Sequence, residues 1–358
     1  MGYRKLWTVL LTALLVFTMV CPAVAEQGTN ADNSANEITD DVVAFYYENK
    51  DLCDEALEYY NGYESNLDQY VSAPKGVISE DDFLEKLQYD TVLVMTVNPI
   101  ERGVFLRCLS EKVGQPLETY QVGNLTCNVC NVENRLTIIH VNPGKTGEEY
   151  TRRAINRITS VVVPDYICLV GICYGINMEK NTIGDVFISD RVKTFRLNFR
   201  DRLDSDEIRF EVEEEYDAKP SETIVQRIRD RLMYTRYNNI LTIDGETYPA
   251  HAEVGLFLSC NSLMSSSKVK QAITEQYTLK GAMPLGGEME GAGLLKSSIV
   301  EMNRYDNWLI VKSICDWGEK KNALDPDPVV SEYIKDCLQA YAMTNTCGVW
   351  MELIKSIF

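Results

Sequence analysis

From Asp90 onward, short continuous apolar runs alternate with stretches of helical periodicity. Thr91-Val92-Leu93-Val94-Met95-Thr96-Val97 is apolar and β-branched at consecutive positions, the pattern of a strand buried on both faces. The pattern then predicts a helix from near Ile100 to Glu111, two or three strands across Thr119 to Val132 and Leu136 to Val141, and a helix over Gly147 to Val161. Strands are predicted at Tyr166 to Gly171 and at Val186 to Val192. The charged stretch from Asp201 to Pro220, with Glu213-Glu214-Glu215, reads as a solvated excursion. Beyond it come a helix near Glu222 to Tyr234, a strand at Val254 to Ser259 and another running into Glu288. A helix from Gly291 to Asn303, a strand at Trp308 to Ile314 and a terminal helix from about Val329 complete the series. Strands alternating with helices imply an α/β domain built on a mostly parallel or mixed sheet, over residues 90–358.

The chain before Asp90 has a different character. Val42, Phe45, Tyr46, Leu52, Ala56 and Leu57 form a rough helical stripe, and Ser79-Glu80-Asp81-Asp82 opens a second short helix. Residues 26–89 are therefore expected to be an acidic linker and helical leader. Ahead of them, Arg4 and Lys5 precede an uncharged run from Leu6 to Val20, and Ala23-Val24-Ala25 follows. This is the composition of a secretory signal over residues 1–25, cut after Ala25, which implies a secreted or extracytoplasmic protein; an uncleaved anchor is the alternative.

Composition narrows the partners. The 358 residues carry 53 acidic and 35 basic side chains, a net charge of -18. A standing nucleic-acid partner is excluded on that balance, because binding a phosphate backbone requires a basic face. Of the 11 cysteines, several lie in apolar strand-like runs, where a free thiol behaves as a small hydrophobe. Cys127 and Cys130 form a CxxC, but on a strand they face opposite ways, and no second Cys/His pair stands at finger spacing. No metal site and no cofactor are implied.

The two histidines and the lack of a Gly-x-Ser-x-Gly turn leave little room for a His-based nucleophile. His140, on an apolar strand, reads as a core residue. Asn142-Pro143-Gly144-Lys145-Thr146 looks like a phosphate loop, but Ile139 stands where that motif needs glycine, so it reads as a turn into a helix. Carboxylates are the natural catalysts here. Gly286-Gly287-Glu288-Met289-Glu290-Gly291-Ala292-Gly293 ends one apolar strand with two acids and small residues. Trp308 to Trp317 carries another strand into Asp316. Such strand ends are where open α/β sheets bind ligands, and partial burial raises a carboxyl towards the range of a general acid.

These residues resemble the purine nucleoside phosphorylase/nucleosidase superfamily, in the branch of methylthioadenosine/S-adenosylhomocysteine nucleosidase. The resemblance rests on Glu288-Met289-Glu290-Gly291-Ala292-Gly293, on Cys315-Asp316, on Gly171-Ile172-Cys173-Tyr174-Gly175 with Gly184-Asp185-Val186-Phe187-Ile188-Ser189-Asp190, and on Met95 to Glu101. It implies a three-layer phosphorylase-like fold, a central mixed sheet flanked by helices, and a possible homodimer acting on a small purine nucleoside or nucleotide. It further implies that Asp316 protonates the departing purine, Glu290 binds the ribose hydroxyls, Met289 packs on the sugar and Glu101 directs the attacking water. Glu288 would support the turn, and Leu263 would lie near the base. Lys312 stands where an Arg is usual, Tyr174 where a Gly lies beside the base, and Ile172 where a hydroxyl residue is usual. The early Gly-Asp loop and Arg of phosphate users are not found, which favours water as acceptor. A phosphorylase, or a non-catalytic secreted nucleoside-binding or storage relative, remains the alternative. Lys320-Lys321 is either a contact for substrate phosphates or plain surface.

Overall fold

A computed structural model describes residues 33–200, 209–234, 241–243, 246–248, 251–261, 264, 266–279, 281, 283–302, 304–318 and 324–357. The signal-like segment 1–25, Leu263, Lys320 and Lys321 lie outside the described residues. Contacts divide the chain into Met1–Asn36 and Glu37–Phe358.

The leader contains α1 (Asn33–Glu48), α2 (Lys50–Ser65), α3 (Leu67–Tyr70), β1 (Val77–Ile78) and α4 (Glu80–Leu84). The series that follows is β2 (Asp90–Met95), α5 (Pro99–Val113), β3 (Glu118–Val122), β4 (Leu125–Val132), β5 (Leu136–Val141), α6 (Glu148–Thr159) and β6 (Tyr166–Gly175). It continues with β7 (Val186–Arg200), β8 (Arg209–Ala218), α7 (Glu222–Tyr234), β9 (Leu241–Ile243), β10 (Glu246–Tyr248) and β11 (Ala252–Cys260). Last come α8 (Ser267–Leu279), β12 (Pro284–Glu288), α9 (Gly291–Leu295), α10 (Ser298–Glu301), β13 (Trp308–Asp316) and α11 (Pro328–Ile357).

Eleven strands form one mixed sheet, in the order β1-β3-β4-β5-β2-β6-β12-β11-β7-β13 with β8 on β7. The apolar runs identified from the sequence make its centre, where β2 lies parallel to both β5 and β6. β13 pairs with β6 as well as with β7. The ring β6-β12-β11-β7-β13 therefore closes on itself, which leaves those five strands without a free edge in their paired stretches. The fold is the expected α/β arrangement, with this closure added.

Two local expectations need correcting. The charged stretch is no simple excursion: Arg209–Ala218 is strand β8, antiparallel to an extended β7 from Val192↔Ala218 to Arg200↔Arg209. Glu211 and Glu213 alternate with the half-buried Val212, and a register irregularity follows at Thr194/Phe195 before Tyr216, so the pairing is hidden in the sequence by total charge. The helix after Gly291 breaks at Lys296 and Ser297 into α9 and α10. Cys53, Ala56, Tyr59 and Tyr63 of α2 in the leader are buried. The Arg107 guanidinium of α5 lies 3.7 Å over the Tyr59 ring and donates to its carbonyl at 2.7 Å.

His140 is the satisfied core residue its strand predicts: it is buried, its Nε2 is 2.9 Å from Thr96 Oγ1, and its ring stacks on Phe105. The ten cysteines from Cys53 to Cys347 are buried. No metal-binding group of three or more His, Cys, Asp or Glu occurs among the described residues. Among those residues, no helix is long and apolar enough to cross a membrane.

Candidate active site

Glu101 is fixed by the turn that starts α5. Asn98 is the N-cap, its Oδ1 accepting from the Glu101 N–H at 2.8 Å, while Glu101 Oε2 accepts from Asn98 N at 3.0 Å. This reciprocal capping box is reinforced by Val97 N at 2.7 Å. Oε1 takes a further N–H, that of Ile172 on β6, at 2.9 Å. A Cβ on Gly171 would lie 2.3 Å from Oε1, so glycine there is what lets the carboxylate approach the strand.

Glu288 and Glu290 flank the turn from β12 into α9. Glu288 receives Glu290 N at 2.8 Å and Gly291 N at 2.9 Å, so it holds the turn. Glu290 Oε2 accepts from Lys312 Nζ at 2.7 Å and its Oε1 from Gly147 N at 3.2 Å. Lys312 Nζ is also 3.5 Å from Glu288 Oε2. All four of Glu101, Glu288, Glu290 and Lys312 are buried, and Met289 between the two acids is half-buried.

Their electrostatics are set by burial around one ammonium. Burial raises Glu101 above its ordinary value; Lys312 offsets this in part and the Glu290 charge adds to it. Glu288 is raised in the same way. For Glu290, burial pushes upward too, but Lys312, through its charge and its hydrogen bond, outweighs it and holds the carboxyl below its usual range. Burial alone would lower Lys312, and the three carboxylates instead drive it up, so it stays charged.

Asp316 ends β13, the strand that carries Lys312. It is half-buried, and its Oδ1 accepts from Gly318 N at 2.6 Å while Cys315 Sγ donates to Oδ2 at 3.2 Å. Lys270 of α8 donates to the Trp317 carbonyl at 2.8 Å, holding the next peptide. Tyr174 on β6 pairs with Gly287 on one side and Asp316 on the other, and is buried. Thus Glu101, Glu288 and Glu290 gather around Lys312, while Tyr174 and Asp316 face each other across paired strand ends of β6 and β13. Four contributors went unnoticed in the sequence. They are Gly147, Ser259 (whose Oγ accepts from Ala292 N at 2.9 Å), Met264 and Lys270. Only tertiary pairing brings them here, apart from the strand-end position of Ser259.

No family model matches the chain. Solved proteins of low sequence identity share the fold. The chain is similar to a methylthioadenosine/S-adenosylhomocysteine nucleosidase from Neisseria meningitidis in complex with methylthio-immucillin-A, at TM-score 0.53 and 15% identity over 75% of this chain and 99% of that one. A counterpart from Colwellia psychrerythraea in complex with adenine gives TM-score 0.54 and 14% identity over 76% and 97%. Futalosine hydrolase of Helicobacter pylori gives 0.52 and 11% over 74% and 97%. By sequence, 189 residues are 22% identical to a death domain-containing ATP nucleosidase of Amphimedon queenslandica, covering 50% of this chain but only 33% of that protein.

Proposed function

We propose that the chain is a purine N-glycosidase, hydrolysing the N-glycosidic bond of a purine nucleoside or nucleotide and releasing the free base. The observation that carries this reading is the gathering of Glu101, Glu288 and Glu290 around the Lys312 ammonium, four residues before Asp316 on one strand. Cleavage needs a protonated leaving base and a stabilised ribosyl cation. Asp316 supplies the proton to the purine; a positioned acid contributes roughly 10²–10⁴-fold. Glu290, kept ionised by Lys312, accepts from the ribose hydroxyls and places negative charge where the cation develops, with Met289 against the sugar. Glu288 fixes the turn that presents both.

Glu101 directs the water. A carboxylate has about four acceptor positions; backbone N–H groups take two on Oε2 and one on Oε1, which leaves Oε1 one for a water molecule. The raised proton affinity of Glu101 suits it to accept that water's proton. The adenine and methylthio-immucillin-A complexes of proteins with this fold support a purine-sized ligand. We further read residues 1–25 as a secretory signal and the protein as an extracytoplasmic enzyme, acting as a homodimer as the resemblance implies.

The test is to incubate the purified protein with adenosine, inosine, methylthioadenosine, AMP and ATP, with and without phosphate, and to quantify free base chromatographically. Base release from at least one substrate in phosphate-free buffer is expected. Release that requires phosphate would make it a phosphorylase, and binding without release would make it a non-catalytic relative.

A further inference from the structure

Resting on the nucleosidase reading, we infer that Tyr174 is the specificity-determining residue of the base subsite, its ring limiting which purine substituents can enter. On β6, Tyr174 stands between Gly287 of β12, the residue before Glu288, and Asp316 of β13. The acid assigned to the base and the turn assigned to the sugar are therefore its immediate neighbours across the sheet.

The side chain fills the ground between them. A Cβ added to Gly287 would lie 2.1 Å from the Tyr174 Oη and 2.2 Å from its Cζ, so the phenol rests directly on the backbone of the Glu-Met-Glu strand. On the other side, a Cβ at Gly318, two residues after Asp316, would meet the same ring at 3.1 Å and Met264 at 3.4 Å. Gly318 has φ +73°, a conformation in which glycine is favoured. The ring thus interlocks with two glycines and bridges both halves of the site. It belongs to a buried apolar cluster with Met264, Leu258, Cys260 and Phe195. Burial raises the phenol, and the charges of Glu288 and Asp316 raise it further, as expected for a hydroxyl lying near both carboxylates.

On the nucleosidase reading, a purine whose base meets Asp316 and whose ribose meets Glu290 would lie along the end of β6, where Tyr174 stands between Gly287 and Asp316. Apolar walls are packed without slack, and added volume that the wall cannot yield is rejected. A pocket discriminates strongly when the extra group meets a side chain interlocked with backbone, as here with Gly287. Tyr174 is a specificity residue in this sense and takes no part in bond breaking.

Binding of free bases isolates the proposal from catalysis. Adenine and its phenyl derivatives at N6, C2 and C8 are titrated calorimetrically into wild-type protein, Tyr174→Phe and Tyr174→Gly. For at least one derivative, the affinity relative to adenine is expected to rise tenfold or more in Tyr174→Gly and to stay near wild type in Tyr174→Phe. Ratios within threefold of wild type for all three derivatives would overturn the proposal, as would failure of the wild-type protein to bind any base. Base binding without base release would instead contradict the nucleosidase reading alone. Should Tyr174→Gly fail to fold, Gly287→Ala drives a methyl into the phenol and is expected to weaken adenine at least tenfold; unchanged affinity would overturn the proposal.

Discussion

Lys312 meets Glu290 at 2.7 Å and Glu288 at 3.5 Å while Glu101 acts on it from α5, so a single buried ammonium serves three carboxylates. Removing one partner of a buried ion pair costs about 3–5 kcal/mol, because the remaining charge is left desolvated. Lys312→Met is expected to lose stability of that order in chemical denaturation and to abolish base release. Lys312→Arg keeps the charge but brings a larger, planar head, and should be the milder change. His140 gives a second residue-scale prediction. Burial lowers its imidazole from 6.5 to about 3. The unfolded chain then binds the proton first as pH falls, so the neutral residue's contribution is intact above about 6.5 and is lost progressively towards pH 3. In His140→Gln, the pH dependence of unfolding free energy over that window should flatten by up to one proton, about 1.4 kcal/mol per pH unit. An unchanged slope would show that another group governs acid unfolding.

At the scale of elements, the apolar strands were legible because each is buried on both faces and reads as a continuous run. The strand ends carrying Glu288 and Asp316 were equally visible. β8 was not, since its acidic total masked an alternating pattern, and the division of α9 from α10 depends on packing at Lys296, which pairs with Glu148 and Glu215. The candidate site residues were read from the family resemblance rather than from local pattern. Lys270 and Gly147 reach it only through tertiary contacts, which carry no local signal. Glycine also sets how closely α9 approaches α6: a Cβ on Gly293 would lie 2.3 Å from the Glu148 carbonyl and 2.8 Å from Thr151 Cβ. Backbone cannot step aside as a flexible side chain does. Gly293→Ala is therefore expected to destabilise the protein by about 1–3 kcal/mol, the usual range for overpacking, read as a lower denaturation midpoint.

For the whole molecule, closure of β6-β12-β11-β7-β13 brings the strands that carry Tyr174, Glu288, Lys312 and Asp316 into one ring. Two strands of that ring, β6 and β13, bring Tyr174 and Asp316 together, and β12 delivers the glutamates beside them. Identity to proteins of the same fold is 11–15%, so the architecture has been kept while most side chains differ. A net charge of -18 disfavours polyanionic macromolecules as ligands, in keeping with a small molecule seated at the strand ends. The measurement that bears most directly on this account is the rate of base release by Asp316→Asn beside wild type, on whichever purine substrate the wild-type protein cleaves fastest. An asparagine keeps the shape but has no carboxyl proton to give, and the account predicts a fall of roughly 10²-fold or more. A variant that releases base at the wild-type rate would contradict it.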